Sequence, residues 1–134
     1  MAERKVYVTK RMTFEACHHL NNYEGKCSQL HGHSYKLEVT FVGSIDPNTI
    51  NGETLATEAM VCDFSDIKRR VKHKILDIYD HSNLNSFFSQ PTAEVMAVHI
   101  YDMLSEDILP NSDYKVYSVK LWETEDSYAE YRGE

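Results

Sequence analysis

The chain has 134 residues, with 14 Lys and Arg against 21 Asp and Glu and a formal charge of −7 at pH 7, a size that supports one hydrophobic core and predicts a single domain over residues 1–134. The acidic balance excludes nonspecific nucleic-acid binding, which needs a basic surface to neutralise phosphates, and apolar runs of only a few residues exclude a membrane-spanning helix. MAERKVYVTK carries no apolar targeting stretch, and the 3 cysteines, Cys17, Cys27 and Cys62, are an odd number at irregular spacing, so a cytoplasmic protein with reduced thiols is expected.

Val6, Val8, Met12, Phe14 and Ala16 share one parity against Tyr7, Thr9, Arg11, Thr13 and Glu15, which predicts a strand over about residues 5–16 with His18 continuing the apolar side. Residues 19–30 hold Asn21, Asn22, Gly25 and Ser28 without a period and read as a loop, with Cys27 on it. From Ser34 the alternation returns, Tyr35, Leu37, Val39 and Phe41 against Lys36, Glu38 and Thr40, and His31 and His33 share the apolar parity. Residues 43–57 carry the turn signals Asp46-Pro47-Asn48 and Asn51-Gly52 and predict a long connection or hairpin tip.

Asp63 or Ser65 can cap a helix whose apolar stripe is Phe64, Ile67, Val71, Ile75 and Ile78, beside a basic face of Lys68, Arg69, Lys72 and Lys74. Residues 79–91 break that period and read as a loop. A second helix opens at Thr92, with Glu94 in its first turn and Val95, Met96, His99, Ile100, Met103 and Leu104 on one side, and ends near Pro110. Tyr117, Val119 and Leu121 against Ser118 and Lys120 make a third strand, and Ser127 to Arg132 a fourth after a turn at 124–126. The order ββααββ predicts an α+β fold, a four-stranded antiparallel sheet with both helices on one face. Its open edges predict a homo-oligomer that pairs them, as in a closed barrel.

Two histidines one residue apart on an extended backbone project from the same face, and His18 supplies a third imidazole from the neighbouring strand. Three imidazoles with an open fourth position are the donor set of a catalytic zinc site, His18, His31 and His33. Cys27 lies on a polar loop beside Lys26 and the proposed metal, which favours thiolate and a role as catalytic base. His19 points the other way. Asp80-His81 is either a solvated turn or a proton shuttle in which the carboxylate polarises the imidazole. Glu123 shares the parity of Val119 and Leu121, so it is a metal ligand, an exposed strand end, or an acceptor for a planar ring rich in N–H groups. Tyr35, Tyr128 and Tyr131 read as packing.

FEACH, CSQLHGH, Asp63-Phe64-Ser65-Asp66-Ile67-Lys68, DHSNLN, Pro91-Thr92-Ala93-Glu94, Trp122-Glu123-Thr124 and the terminal YRGE together resemble the 6-pyruvoyltetrahydropterin synthase family. Cys27, four residues before His31, resembles the family's queuosine-pathway branch, the 6-carboxytetrahydropterin synthases. The resemblance implies the tunnelling fold, with a barrel of subunits, a homohexamer made of two stacked trimers and active sites at subunit interfaces. It implies a zinc lyase that converts 7,8-dihydroneopterin triphosphate to 6-carboxytetrahydropterin with loss of triphosphate and acetaldehyde. His18, His31 and His33 would hold zinc, Cys27 would abstract the proton, and Asp80 with His81 would form the relay. Glu123 would anchor the pterin ring at the far end of an elongated pocket, and Thr92 would contact substrate. Lys10, Arg11, Lys26 and Arg132 are the candidate cations for the triphosphate. Tyr79 departs from the family pattern, where leucine often precedes the Asp-His pair, and Cys62 replaces the usual aliphatic before Asp63.

Overall fold

The computed structural model describes residues 4–46, 49, 52, 55–108 and 112–134. The turn residues Pro47, Asn48 and Asn51 and the expected helix end at Pro110 lie outside them. Strand β1, Arg4–His18, pairs antiparallel with β2, His31–Ile45, in unbroken register from Arg4 opposite Ile45 to His18 opposite His31. Both strands outrun their predicted limits, and the register sets the three histidines side by side at the end of the hairpin. Phe14, Ala16, Tyr35, Leu37, Val39 and Phe41 are buried on one face, as their alternation requires.

The sheet has five strands in the order β3-β1-β2-β4-β5, one more than expected, and one pairing is parallel. Strand β3, Ser82–Asn83, lies parallel to β1 beside Ala16 and Cys17, inside the stretch read as a loop. Two residues carry no period to detect. The outer edge of β1 nonetheless has backbone donors and acceptors that need partners, and β3 supplies them.

Strand β4, Tyr114–Trp122, pairs with β2 and with β5, Tyr128–Tyr131. The register slips between Thr40, opposite Ser118, and Phe41, opposite Val116, so Tyr117 is the extra residue of a β-bulge. The bulge corrects the expected face: Val116 is buried, while Tyr117 is exposed and meets Tyr7 edge-on at 4.7 Å.

Helix α1, Phe64–Val71, is capped by the Asp63 carboxylate, which accepts from the Ser65 backbone N–H. It runs through a π-helical segment, Lys72–Leu76, into a last turn α2, Asp77–Tyr79. The buried residues are Ile67, Val71, Ile75 and Tyr79, with Phe64 and Ile78 exposed. A strict four-residue repeat drifts about 40° per step around a 3.6-residue helix, and the wider π turn absorbs that drift. It therefore buries Tyr79 in place of Ile78.

Helix α3, Ala93–Asp107, starts at the expected cap, where Thr92 Oγ1 accepts from Val95 N–H. Its buried side is Ala93, Met96, Ala97, Ile100 and Leu104, and Val95 is exposed. Both helical stretches join the buried face of the sheet in one core. Among the described residues no helix is long and apolar enough to cross a membrane.

Candidate active site

His18, His31 and His33 meet at the loop end of the β1–β2 hairpin, each offering a ligand atom within 4.8 Å of the others. The tautomers follow from the hydrogen bonds. His18 Nδ1 lies 2.7 Å from the carbonyl of Pro91, and His31 Nδ1 lies 2.7 Å from the carbonyl of Gln29. A carbonyl oxygen only accepts, so both Nδ1 atoms carry a proton, and Nε2 is the nitrogen that either ring can offer to a metal. His33 Nε2 is buried without a hydrogen-bond partner.

Glu123, the residue after β4, brings Oε1 to 3.2 Å from His18 Nε2 and 3.6 Å from His33 Nε2. A neutral imidazole whose Nδ1 proton is already committed turns a lone pair toward that oxygen. Such a pair is favourable only with a positive charge between the atoms, a proton or a metal ion. Burial first, with the neighbouring His18 and His31 adding to it and Glu123 opposing, holds His33 below the ordinary imidazole range. It is thereby kept in the neutral form that ligates metal. An orphaned buried nitrogen, two fixed tautomers and a carboxylate at the open side together fit a divalent cation. The expectation of a distant Glu123 is corrected: its carboxylate closes the mouth of the triad.

Tyr35 stacks on Phe14 at 4.9 Å and sets its hydroxyl 3.3 Å from His18 Nδ1. Burial, then the charges of Glu123 and Cys17, raises its pKa and keeps the phenol protonated. It is a core residue, as read, and also the floor beneath His18.

Cys27 sits on a 3-10 turn, Lys26–Ser28, half-buried and reduced. The turn is fixed by Leu20 N–H donating to the Cys27 carbonyl at 2.8 Å, and two residues later Gln29 orients His31. Asn21 and Gln90 tie the same loop to the approach of α3: Asn21 N–H donates to Gln90 Oε1 at 2.8 Å, and Gln90 Nε2 donates to Asn21 O at 2.5 Å. The Cys27 thiol has no hydrogen bond to another group among the described residues.

Asp80 and His81 form a pair with Oδ1 3.0 Å from Nδ1. The Asp80 carboxylate accepts from Glu15 N–H at 2.9 Å, and His81 N–H donates to Glu15 O at 2.5 Å. The Glu15 N–H bond, ahead of His81 itself, holds the Asp80 carboxyl below its usual range. The pair caps the edge of β1 beside a cleft of about 460 Å³ lined by Glu15, Cys17, His33, Ser34, His81 and Asn83. Glu15 and Cys17 have the opposite parity to His18. No hydrogen bond or ion pair joins the pair to the triad among the described residues.

His81 has φ 60°, a left-handed conformation that costs a residue with a Cβ roughly 1 kcal/mol. His81→Gly is therefore expected to be about 1 kcal/mol more stable than His81→Ala in denaturant titration, although each lacks the imidazole.

Sequence reasoning missed the carbonyls of Pro91 and Gln29, which are backbone atoms with no residue signature, and Asn85. Asn85 accepts from His19 N–H at 2.8 Å and donates to His19 O at 3.0 Å, locking the chain just past His18. Its place in DHSNLN was the available signal.

A family model described as 6-pyruvoyl tetrahydropterin synthase matches residues 7–134. The 6-carboxy-5,6,7,8-tetrahydropterin synthase of Haemophilus influenzae is 37% identical over 147 residues, covering 93% of this chain and 97% of its own. The 6-pyruvoyl tetrahydrobiopterin synthase of Poecilia reticulata is 35% identical, covering 99% and 94%. The 6-pyruvoyl tetrahydropterin synthase structure from Caenorhabditis elegans superposes with a TM-score of 0.78 at 26% identity over 100% of both chains. With a match of that extent on this fold and this histidine cluster, the chain belongs to the 6-pyruvoyl tetrahydropterin synthase family of pterin-processing enzymes.

Proposed function

We propose that this chain is a cytoplasmic, single-domain zinc lyase that converts 7,8-dihydroneopterin triphosphate and water to 6-carboxy-5,6,7,8-tetrahydropterin with loss of acetaldehyde and triphosphate, on the route to queuosine. The observation that carries the reading is the triad with its orphaned His33 nitrogen, at the end of the loop whose sequence holds Cys27. A zinc ion held by His18, His31 and His33 supplies Lewis acidity toward the side-chain oxygens of the substrate.

The protein groups do the rest. The Cys27 thiolate, beside Lys26, takes a carbon-bound proton from that side chain, and the His81 imidazole, oriented by the Asp80 carboxylate, returns one. Glu123, 30% exposed in its side chain, faces both the triad and the mouth, where its oxygens accept from the N–H edge of the pterin ring. Thr92 Oγ1 accepts from Val95 N–H in the cap and keeps its own proton to donate to substrate. Of the candidate cations, Arg11 is engaged by Glu38 and Arg132 by Glu130, which leaves Lys10 and Lys26 for the triphosphate.

The triad faces the core side of the hairpin, and Asp80-His81 caps the other side of its edge. The outer strands of the sheet, β3 and β5, leave open edges. This supports a homo-oligomer, a hexamer of two trimers whose sheet edges close into a barrel, with sites between subunits.

The relatives named for the pyruvoyl product are nearly as similar as those named for the carboxy product, so the product decides. Zinc-loaded protein incubated with dihydroneopterin triphosphate is expected to release acetaldehyde and triphosphate in equal amounts. Triphosphate release with a pyruvoyl product and no acetaldehyde assigns the sister activity. No turnover, with zinc needed only for folding, assigns a binding module.

A further inference from the structure

Tyr79 is the last residue before the chain leaves the helix for Asp80 and His81, and it is buried. Its hydroxyl lies 2.7 Å from His99 Nε2 on α3, and its ring packs edge-on against Phe87 at 5.0 Å. Its backbone carbonyl accepts from Ser82 Oγ at 2.6 Å, so it is held at both ends. Burial lowers the His99 pKa, against the pull of Asp102 and Glu106 on the same helix, and raises that of Tyr79. Both groups stay neutral, and the phenol donates to the imidazole lone pair; Met103 Sδ, at 3.9 Å, is the weaker acceptor.

We propose that the Tyr79–His99 hydrogen bond is a positioning strut that fixes where Asp80 and His81 stand. The proposal rests on the relay role given to that pair above. On one side the relay hangs from the backbone of Glu15. On the other it hangs from Tyr79, and through His99 from α3. The same helix begins two residues after Pro91, whose carbonyl orients His18, so α3 is the common reference for the metal clip and the relay. Packing alone would hold a leucine at position 79 equally well. A directed O–H···N bond adds the angular constraint that a residue in a left-handed conformation, His81, needs if its ring is to stay beside Asp80.

The test is steady-state kinetics on Tyr79→Phe, His99→Leu, His99→Gln and the double variant Tyr79→Phe/His99→Leu, with thermal midpoints measured alongside. Tyr79→Phe and His99→Leu are expected to lower kcat roughly tenfold with KM within about twofold, because a displaced relay costs the chemical step and not binding. The double variant is expected to lose no more than either single one, and His99→Gln, whose Oε1 accepts the same proton, to recover most of the rate. Wild-type kcat in Tyr79→Phe, multiplying losses in the double variant, or equal losses in His99→Gln and His99→Leu overturn the strut. If Tyr79→Phe does not fold, the two His99 variants decide. Full turnover in His81→Ala removes the relay itself, and the strut with it.

Discussion

Cys27→Ala is expected to lower kcat by about 10²- to 10⁴-fold, the range for loss of a positioned general base, while the protein stays folded and keeps its zinc. The separation of effects follows from where the thiol sits. Cys27 is not one of the three clustered ligands and is absent from the hydrophobic core. The loop is held through its backbone carbonyl, which the substitution leaves in place. Single-turnover rates and metal analysis of the variant read the two quantities independently. A variant that turns over at the wild-type rate removes Cys27 as the base, and one that loses its metal makes the thiol a fourth ligand.

Chelation is expected to stop turnover completely and leave a folded apoprotein. The core is built from Phe14, Tyr35, Leu37, Phe41, Ile75, Met96, Ile100 and Leu121, none of them a metal ligand, so the fold has its own source of stability. Returning zinc to a thousandfold excess over Kd adds about 4 kcal/mol to unfolding, read as a rise in the thermal midpoint. In a zinc titration, His33→Ala is expected to lose most of the affinity and Glu123→Gln to remain within about tenfold of wild type, its KM for substrate rising instead. If Glu123→Gln loses zinc as His33→Ala does, the carboxylate is a ligand and not the ring anchor. If chelation unfolds the chain, the ion is structural.

Much of this was legible because period-two alternation is a strong signal in a long hairpin. With β1 and β2 in continuous register, the parity of His18, His31 and His33 was enough to place them together, and that of Glu123 put it on the same face. Helix caps at Asp63 and Thr92 were equally plain, since a short polar side chain before an apolar stripe has one use there. Where periodicity fails, so did the expectation. The bulge moved Tyr117 to the other face, the π turn exchanged Ile78 for Tyr79, and β3 is too short to have a period. Glu123 was expected at a distance because sequence gives a side chain's face but not its reach. The docking of Asp80-His81 on the edge of β1 had no sequence signature either, for that edge is defined only when the sheet is assembled.

The carbonyls of Pro91 and Gln29 bear on which ion the protein takes. Two of the three imidazoles have Nδ1 committed to a backbone carbonyl, which leaves Nε2 for a metal, and burial favours the neutral form of the third. Neutral nitrogens bind nickel and copper at least as readily as zinc in the general order of divalent affinities. Three imidazoles alone therefore discriminate little among these ions, and metal analysis after loading in competing zinc, nickel and copper is expected to show the supply of free metal setting which one is held.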